Sequence, residues 1–401
     1  MELSGIRYLK DLQLAGKTAF IRVDFNVPLD GSRITDDARI RAALPTIQFV
    51  RQAGGKVVLA SHLGRPKGGP EEKYSLLPVA DHLAGLLGID VVFAEDCVGD
   101  GVQKVIHDLP AGGVLLLENL RFHAAEEKAD PIFASQLAAL ADVYINDAFG
   151  TAHRAHASTY TMVQHFADTA RAAGLLVEKE LTALGPLLQA PAKPYVAIMG
   201  GAKVSDKIKI IENLLGKVDT LLIGGAMAYT FLKAQGHSIG SSLVEDDKLE
   251  LARQLLKSAE SRKTRVVLPE DHIISDSFHG VGSACSTVSI PEGMAGFDIG
   301  PETTKLFRSF IERAATIIWN GPVGVFEKEA FNRGTFAVAN AVADCKAMVV
   351  VGGGDSAAAL AASGRVADVT HVSTGGGASL EFLEGADLPG IAALRAGHRF
   401  D

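Results

Sequence analysis

The chain has 401 residues and a net charge of −8, with 47% hydrophobic and 21% charged residues. That length exceeds what one hydrophobic core usually supports, so two domains are expected. The composition excludes a disordered chain, and the acidic balance argues against a nucleic-acid partner.

The first residues and the cysteines indicate a cytoplasmic protein. Residues 1–17 lack a basic region followed by an apolar stretch, so no signal peptide is predicted. No apolar run approaches the ~20 residues that span a bilayer, so no membrane partner is expected. Three widely separated cysteines show neither zinc-binding nor redox spacing, and each is interpreted as a buried free thiol in a reducing compartment: Cys97, Cys285 and Cys345.

The apolar runs of the chain are short and mostly continuous rather than alternating. In the first half they are TAFIRVD (18–24), KVVLAS (56–61), VVFA (91–94), GVLLLEN (113–119) and DVYIND (142–147). In the second half they are YVAIMG (195–200), DTLLIGG (219–225), RVVLP (265–269), ATIIWN (315–320), AMVVVGG (347–353) and DVTHVS (368–373). Continuous runs are typical of strands buried on both faces, and helical patterns separate them. The sequence therefore predicts an α/β protein with two doubly wound parallel-sheet, Rossmann-like lobes.

A different pattern lies between the two halves. Residues 173–188 predict a helix that joins the lobes, with Gly185 and Pro186, and then further prolines, breaking it. The predicted domains are therefore 1–172 and 189–386, connected by this helix and a hinge.

Cationic residues follow the apolar runs of the first half, where doubly wound sheets bind their ligands. They are Arg39, Arg41, His62, Arg65, Arg121, His123, His153, Arg154 and His156. A single arginine is most simply a solvated surface residue, but arginines after four separate strands favour a shared site. Guanidinium groups suit carboxylate and phosphate oxygens, while Asp24 and Asn26 can accept from a ligand hydroxyl. The predicted substrate is small, anionic and hydroxylated.

Glycine-rich turns occupy the same positions in the second half. They are MGGAKVSDK (199–207), IGGAM (223–227), WNGPVGVFE (319–327), VGGGDS (351–356) and STGGGAS (373–379). One glycine pair is usually only a tight turn, but five such strand ends favour a nucleotide along the sheet edge.

Several residues in these turns suit phosphate chemistry. Lys203 and Lys207 are placed to contact phosphates, although a solvated helix face is the alternative. Asp355 either caps the helix that follows it or holds Mg²⁺. Gly375 and Gly376 precede a predicted helix, whose free N–H groups suit a phosphoryl group in transfer.

Two other functions fit part of this pattern. A nicotinamide-dependent dehydrogenase is one, because Gly352, Gly354 and Ala357 match a loose dinucleotide fingerprint. The next predicted strand, however, ends in Ser373 and Thr374 instead of the acidic residue that binds ribose. A two-lobed anion-binding protein without catalysis would explain the arginines but not the glycine-rich half.

The motifs together resemble the phosphoglycerate kinase family across essentially the whole chain. They are RVDFNVP, SHLGRP, ENLRF, NDAFGTAHRAH, GGAKVSDK, GFDIGP, WNGPVGVFE, GGGDS and STGGGAS, in that family's order. The resemblance implies Mg²⁺-dependent phosphoryl transfer between ATP and the carboxylate of 3-phosphoglycerate. It also implies a C-terminal segment, 387–401, that packs on the first lobe. Since nothing in the sequence compels an oligomer, we expect a monomer, and its two lobes must close to bring the two substrates together.

The resemblance also assigns residues to roles. The phosphoglycerate site would comprise Asp24, Asn26, Arg39, His62, Arg65, Arg121 and Arg154. The nucleotide site would comprise Gly201, Ala202, Lys207, Gly224, Asn320, Pro322, Glu327, Gly353, Gly354, Asp355 and Ser356, with Asp355 also serving the metal. The transferring phosphoryl group would lie among Arg39, Lys203, Gly375 and Gly376. A carboxylate is already ionised at neutral pH, so no general base is needed.

Overall fold

The computed structural model describes residues 3–400, which divide into two compact units. The first unit comprises residues 3–182 and 387–400, and the second comprises residues 183–386. Met1, Glu2 and Asp401, which belong to the predicted segments 1–172 and 387–401, lie outside the described residues.

The first unit is built on a six-stranded sheet. Its strands, with a small hairpin formed by β2 and β3, are β1 (Thr18–Val23), β2 (Leu29–Asp30), β3 (Arg33–Ile34), β4 (Lys56–Ala60), β5 (Val91–Ala94), β6 (Val114–Leu117), β7 (Val143–Asp147) and β8 (Arg171–Ala173). Its helices are α1 (Ala38–Gln52), α2 (Leu77–Leu87), α3 (Asp100–Asp108), α4 (Ala124–Glu127), α5 (Pro131–Ala138) and the start of α6 (Leu175–Gln189). The strand order is β5-β6-β4-β1-β7-β8, with every neighbouring pair parallel.

The second unit repeats this architecture with a different chain order. Its strands are β9 (Tyr195–Met199), β10 (Thr220–Ile223), β11 (Arg265–Val267), β12 (His272–Ser275), β13 (Ser283–Cys285), β14 (Ala295–Ile299), β15 (Thr316–Asn320), β16 (Met348–Gly352) and β17 (His371–Val372). Its helices are α7 (Ile208–Leu214), α8 (Met227–Ala234), α9 (Leu249–Ser261), α10 (Pro301–Ile311), α11 (Arg333–Asp344), α12 (Gly354–Ala362) and α13 (Gly377–Leu383). The parallel sheet has the order β11-β10-β9-β15-β16-β17. Strands β10 and β11 are added on one side of β9 and strands β15 to β17 on the other, so the order of strand addition switches sides between β9 and β15. Such a switch point is where ligands bind in doubly wound sheets.

The central strands explain why the apolar runs are continuous. Every residue of β6, β7, β9, β10 and β15 is buried, because helices cover both faces of each sheet. Trp319 in β15 is fully buried in the core of the second unit. The predicted fold class is therefore confirmed.

Two parts of the fold were not predicted. Strand β8 adds a sixth parallel strand to the first unit, and its short sequence RAA carries little apolar pattern. Strands β12, β13 and β14 form a separate antiparallel sheet in the second unit. None of the helices among residues 3–400 is both long and apolar enough to cross a bilayer.

The helix α6 differs from the predicted 173–188 in both its start and its interior. Ala173 is the last residue of β8, and the helix begins at Leu175. Pro186 does not end it, because Leu184 and Leu187 on either side are fully buried and packing offsets the hydrogen bond that a proline cannot donate.

Residues 387–400 pack on the first unit, as the resemblance implied for the C-terminal segment. The short helix α14 (Pro389–Ala392) is fixed by the Gly390 N–H, which donates to the Ala152 carbonyl at 2.8 Å. Farther along, the Ala396 N–H donates to the Gly5 carbonyl at 2.9 Å. The first unit is therefore assembled from both ends of the described chain.

Two side chains of the first unit hold the start of α6. Thr46 Oγ1 accepts from the Leu175 N–H, and Asp147 Oδ1 accepts from the Leu176 N–H, each at 2.9 Å. These bonds satisfy backbone groups that a helix start leaves without partners. Burial raises the pKa of Asp147 to about 7, from an ordinary value of 3.8.

We expect the stability of the Asp147→Asn variant, relative to that of the wild-type protein, to increase as the pH rises. The folded protein keeps the Asp147 proton up to about pH 7, whereas the unfolded chain releases it near 3.8. The stability contributed by the protonated carboxyl is therefore present below pH 3.8 and is lost as the pH rises through 7. Asparagine keeps the Oδ1 acceptor and does not ionise.

The test is urea unfolding of both proteins at pH 5 and pH 8. The free energy of unfolding of the variant, relative to wild type, should be higher at pH 8. Burial also raises the pKa of Asp298 to about 7, but this group is common to both proteins and cancels. An equal difference at the two pH values would contradict the prediction.

Candidate active site

The cationic residues of the first unit meet around Asp24, directly after β1. Arg39 Nη1 lies 2.7 Å from Asp24 Oδ2, and His62 Nδ1 lies 4.0 Å from Asp24 Oδ1. Asp24 and His62 are buried, whereas the Arg39 side chain is 40% exposed. One edge of the Arg39 guanidinium is thus fixed by a carboxylate, while its other N–H groups remain open to a ligand.

Asn26 and Arg121 lie close to the same loop. Asn26 Oδ1 accepts from the Gly64 N–H at 2.9 Å, and Arg121 Nη1 donates to the Gly64 carbonyl at 2.8 Å. Because Asn26 Oδ1 already accepts within the protein, its expected role as acceptor for a ligand hydroxyl is reduced. Asn26 instead positions the backbone of the His62–Arg65 loop.

His62 is held in its neutral form. Burial lowers its pKa well below 6.5, and the charges of Arg22, Arg121 and Arg39 lower it further. Arg22 Nη2 lies 3.3 Å from His62 Nδ1, so Nδ1 acts as the acceptor. The proton of the neutral ring is then on Nε2, which can donate to an anionic ligand.

Two of the predicted arginines are more exposed. Arg65 lies in the loop after His62, and Arg154 follows β7, where its Nε lies 3.2 Å from His153 Nε2. The charge of Arg154 lowers the pKa of Arg121, although burial of Arg121 is the larger cause. Arg154 therefore lies within electrostatic range of Arg121.

Sequence reasoning missed two residues that position this cluster. Asn119 accepts the N–H groups of Leu63 and Arg121 and donates to the Leu63 carbonyl at 2.7 Å. Arg22 is 1% exposed inside β1, where its Nε donates to Ser158 Oγ at 2.8 Å. A charged residue within the apolar run TAFIRVD was the available indication of Arg22.

The second unit contains a cavity of about 750 Å³ beside its switch point. Five of the predicted nucleotide residues line it, namely Gly201, Ala202, Pro322, Glu327 and Asp355. Most other lining residues are apolar or glycine, including Leu243, Phe278, Phe297 and Val325. A largely apolar cavity with two carboxylates at its lining suits a planar base attached to polar groups.

Three predicted nucleotide residues hold this site together from within. Asn320 is fully buried, with Oδ1 accepting from Lys207 Nζ and Nδ2 donating to the Gly352 carbonyl at 2.9 Å. Ser356 is also fully buried, and its Oγ accepts from the Gly321 N–H. Burial lowers the pKa of Lys207, which sits at the N-cap of α7 rather than within the helix.

The glycines of these turns divide into two kinds. A Cβ at Gly224, which is buried, would lie 2.6 Å from the Val323 Cβ, so close packing requires glycine there. At Gly354, which is exposed, a Cβ would meet nothing within 4 Å. Packing therefore explains Gly224, while the open surface at Gly354 remains available to a ligand.

The helix start near Asp355 and the triple glycine also differ from expectation. Helix α12 begins at Gly354, so Asp355 lies in its first turn and makes no capping hydrogen bond. Gly375 is buried and its N–H donates to Ser373 Oγ at 3.3 Å, whereas Gly376 is exposed at the N-cap of α13. Of the two glycines, Gly376 offers the more accessible backbone.

Comparisons with known proteins identify the family. A family model described as phosphoglycerate kinase matches residues 9–386. The phosphoglycerate kinase of Anaeromyxobacter dehalogenans strain 2CP-1 is 58% identical over 394 residues, covering 97% of this chain and 99% of that protein. That of Moorella thermoacetica is 54% identical over 388 residues, covering 96% and 98%.

Solved structures agree with the sequence comparisons. The structure of phosphoglycerate kinase from Coxiella burnetii has a TM-score of 0.91 and 41% identity, covering 97% of this chain and 98% of that one. The enzyme from Pyrococcus horikoshii has a TM-score of 0.82 and 34% identity over the same shares. These matches exclude the dehydrogenase and the non-catalytic binding protein as alternatives, and the chain belongs to the phosphoglycerate kinase family of phosphoryl-transferring enzymes of glycolysis.

Proposed function

We propose that this chain catalyses reversible transfer of the terminal phosphoryl group of ATP to the carboxylate of 3-phosphoglycerate. The observation that carries the proposal is the cationic cluster around Asp24, where Arg39, His62 and Arg121 meet. Guanidinium groups and a neutral imidazole donor fit a ligand with both carboxylate and phosphate groups. Arg65 and Arg154 bind its phosphate oxygens in this proposal, and Asp24 accepts from its hydroxyl.

The nucleotide binds in the cavity of the second unit. Its base lies against the apolar lining, Glu327 accepts from the ribose hydroxyls, and the phosphates extend towards Lys203, Lys207 and the start of α12. The N–H groups in the first turn of helix α12 have no partners within the helix, and the dipole of its nine residues is positive at this end, so both favour an anion. The apolar lining supports binding of the base without strong discrimination between purines.

Mg²⁺ is the metal that the donors of this site fit. Asp355 is exposed in the first turn of α12 and lines the cavity, so its carboxylate is available to a cation. Mg²⁺ binds one or two carboxylates together with phosphate oxygens and waters. When bound, the ion neutralises phosphate charge.

Catalysis rests on positioning and on stabilising charge. The attacking carboxylate oxygen is ionised at neutral pH, so His62, whose pKa is lowered by burial, serves as a hydrogen-bond donor and not as a base. Arg39 and Lys203 approach the equatorial oxygens of the phosphoryl group, and the Gly376 N–H adds a neutral donor. The Gly375 N–H can also donate to the phosphoryl group once its hydrogen bond to Ser373 Oγ is released.

The remaining features of the proposal concern the whole protein. Three free cysteines favour a reducing compartment, which supports a cytoplasmic location. The enzyme acts as a monomer.

Since the two substrates are assigned to different units, the units close for transfer and exclude water. Small-angle scattering should show a smaller radius of gyration with both substrates than with either one, and an unchanged radius would contradict closure.

The decisive experiment is a coupled assay of ADP formation from ATP and 3-phosphoglycerate. ADP should form only when both substrates and Mg²⁺ are present, and chelation of the metal should stop the reaction. ADP formation that does not depend on 3-phosphoglycerate would overturn the assigned acceptor.

We expect Gly354→Ala to impair nucleotide binding without impairing folding. A Cβ at this position meets no protein atom within 4 Å, and alanine is more favourable than glycine within a helix by up to about 1 kcal/mol. The added methyl group would keep phosphate oxygens away from the backbone. The KM for ATP should therefore rise severalfold while the melting temperature is unchanged or slightly higher.

Gly224→Ala is the matched control, because its Cβ would collide with Val323. This variant should lose stability as well as activity. A Gly354→Ala protein with wild-type KM would show that phosphates do not approach the start of α12.

A further inference from the structure

A cluster of three potential metal ligands lies at the edge of the first unit. Asp96 and Cys97 follow β5, and His123 comes after a short turn that follows β6. Strands β5 and β6 are parallel neighbours, so the loops after them emerge at the same edge of the sheet. One oxygen of Asp96, the sulfur of Cys97 and one nitrogen of His123 all lie within 4.8 Å of one another.

We propose that Asp96, Cys97 and His123 form a binding site for Zn²⁺. Carboxylate, thiolate and imidazole are the three side-chain ligand types that zinc uses in proteins. Ligands around a tetrahedral zinc ion are about 3.5 Å apart, given bonds of about 2.0–2.3 Å. His123 Nε2 and Asp96 Oδ1, now 2.7 Å apart, would separate slightly, while the Cys97 sulfur would move closer to them.

The surroundings of the cluster suit a metal that enters from solvent. Cys97 is 1% exposed, whereas the side chains of Asp96 and His123 are 55% and 31% exposed. The thiol is thus the inner ligand, and the other two line the entrance, where a water molecule completes four-coordination. The His123 ring stacks on Phe133, with centroids 4.8 Å apart, which limits its rotation.

Binding is an exchange of a proton for a metal and involves no oxidation. The Cys97 thiol now donates to the Glu118 carbonyl at 3.0 Å. When zinc binds, the S–H bond is broken, the proton passes to solvent and the sulfur forms a bond to the metal. The proton that His123 Nε2 now donates to Asp96 leaves Nε2 and is taken up, through solvent, by Nδ1 of the same ring, so that the Nε2 lone pair can bind the metal. The site shares no residue with those assigned to phosphoglycerate, nucleotide or Mg²⁺, so it stands independently of the proposed function.

The experiment is a titration of the reduced, metal-free, full-length protein with Co²⁺, which reports its ligands by absorption. We expect a thiolate-to-cobalt charge-transfer band that saturates at one Co²⁺ per chain, and visible bands typical of four-coordination. Added Zn²⁺ should remove both, because zinc displaces cobalt from such ligands.

Variants identify the ligands. Cys97→Ala should abolish the charge-transfer band, and His123→Ala and Asp96→Ala should each weaken Co²⁺ binding by at least about tenfold. Cys345→Ala is the control, since Cys345 belongs to the second unit and should leave the band unchanged. If Cys97→Ala fails to fold, the two more exposed ligands still decide the matter. Absence of the band in the wild-type protein, or a band unchanged in both His123→Ala and Asp96→Ala, overturns the proposal and leaves an ordinary His123–Asp96 ion pair.

Discussion

Replacing Lys203 with alanine is expected to lower kcat by about two to three orders of magnitude while the KM values for ATP and 3-phosphoglycerate change little. Lys203 is exposed in the loop between β9 and α7, so its removal leaves packing intact. Its ammonium group is proposed to meet charge that develops on the phosphoryl group only during transfer. An interaction made only in the transition state contributes to kcat and not to substrate binding.

Lys207, four residues after Lys203, provides a comparison for this prediction. Lys207 bonds to Asn320 and is half-buried, so Lys207→Ala should raise the KM for ATP and also lower stability. Arg65→Ala, in the other unit, should act mainly on the KM for 3-phosphoglycerate. Steady-state kinetics and thermal melts of all three variants are the measurements. A Lys203→Ala enzyme with unchanged kcat and a raised KM would assign this residue to ground-state binding.

Replacing Glu126 with alanine should destabilise the protein by about 3–5 kcal/mol. Glu126 is fully buried and accepts from the Ser158 N–H at 2.9 Å and from the Ser158 hydroxyl. Ser158 Oγ in turn accepts from Arg22, so the carboxylate and the guanidinium balance each other through one hydroxyl. Without Glu126, the positive charge of Arg22 stays buried and uncompensated.

Glu127→Ala offers a control with the same change of charge one residue away. Glu127 is exposed and pairs at 3.2 Å with the largely buried Arg121, so its loss should lower stability by about 1 kcal/mol at most, well below the loss expected for Glu126→Ala. Denaturant unfolding of both variants measures the difference. Because Arg22 also contacts His62, Glu126→Ala should in addition raise the KM for 3-phosphoglycerate in the folded fraction. Equal stability losses for the two variants would contradict a buried charge network.

The sequence was sufficient for the two parallel sheets apart from β8, but not for the antiparallel strands of the second unit. Continuous apolar runs such as those of β7 and β15 have one simple explanation, since both faces of the strand are covered. Strands β8 and β13 have only three residues each, and in β12 (HIIS) and β14 (AGFDI) polar residues or glycine interrupt the apolar ones, so their pattern resembles that of loops. Pro186 was wrongly expected to break α6, because local propensity cannot register the packing of Leu184 and Leu187.

For the site, the sequence assigned residues to the two substrates but did not indicate how their side chains are held. Motif order placed Asn320 and Ser356 in the nucleotide site, and the structure shows that both side chains are buried and bonded within the protein. Asn119 lies within the motif ENLRF, but the sequence did not indicate its structural role, because three of its four side-chain hydrogen bonds connect segments distant in sequence. Spacing also gave no indication of the Asp96–Cys97–His123 cluster, since only the pairing of β5 with β6 brings it together.

The return of residues 387–400 to the first unit has a consequence for biosynthesis. The second unit, 183–386, is continuous in the chain, so all of its contacts can form as soon as it has left the ribosome. The first unit is begun earlier but still lacks the partners of Ala152 and Gly5 until Gly390 and Ala396 have been translated. The first unit, whose synthesis begins first, is therefore the last to be completed. A chain that is interrupted before residue 387 lacks the C-terminal segment that completes this unit.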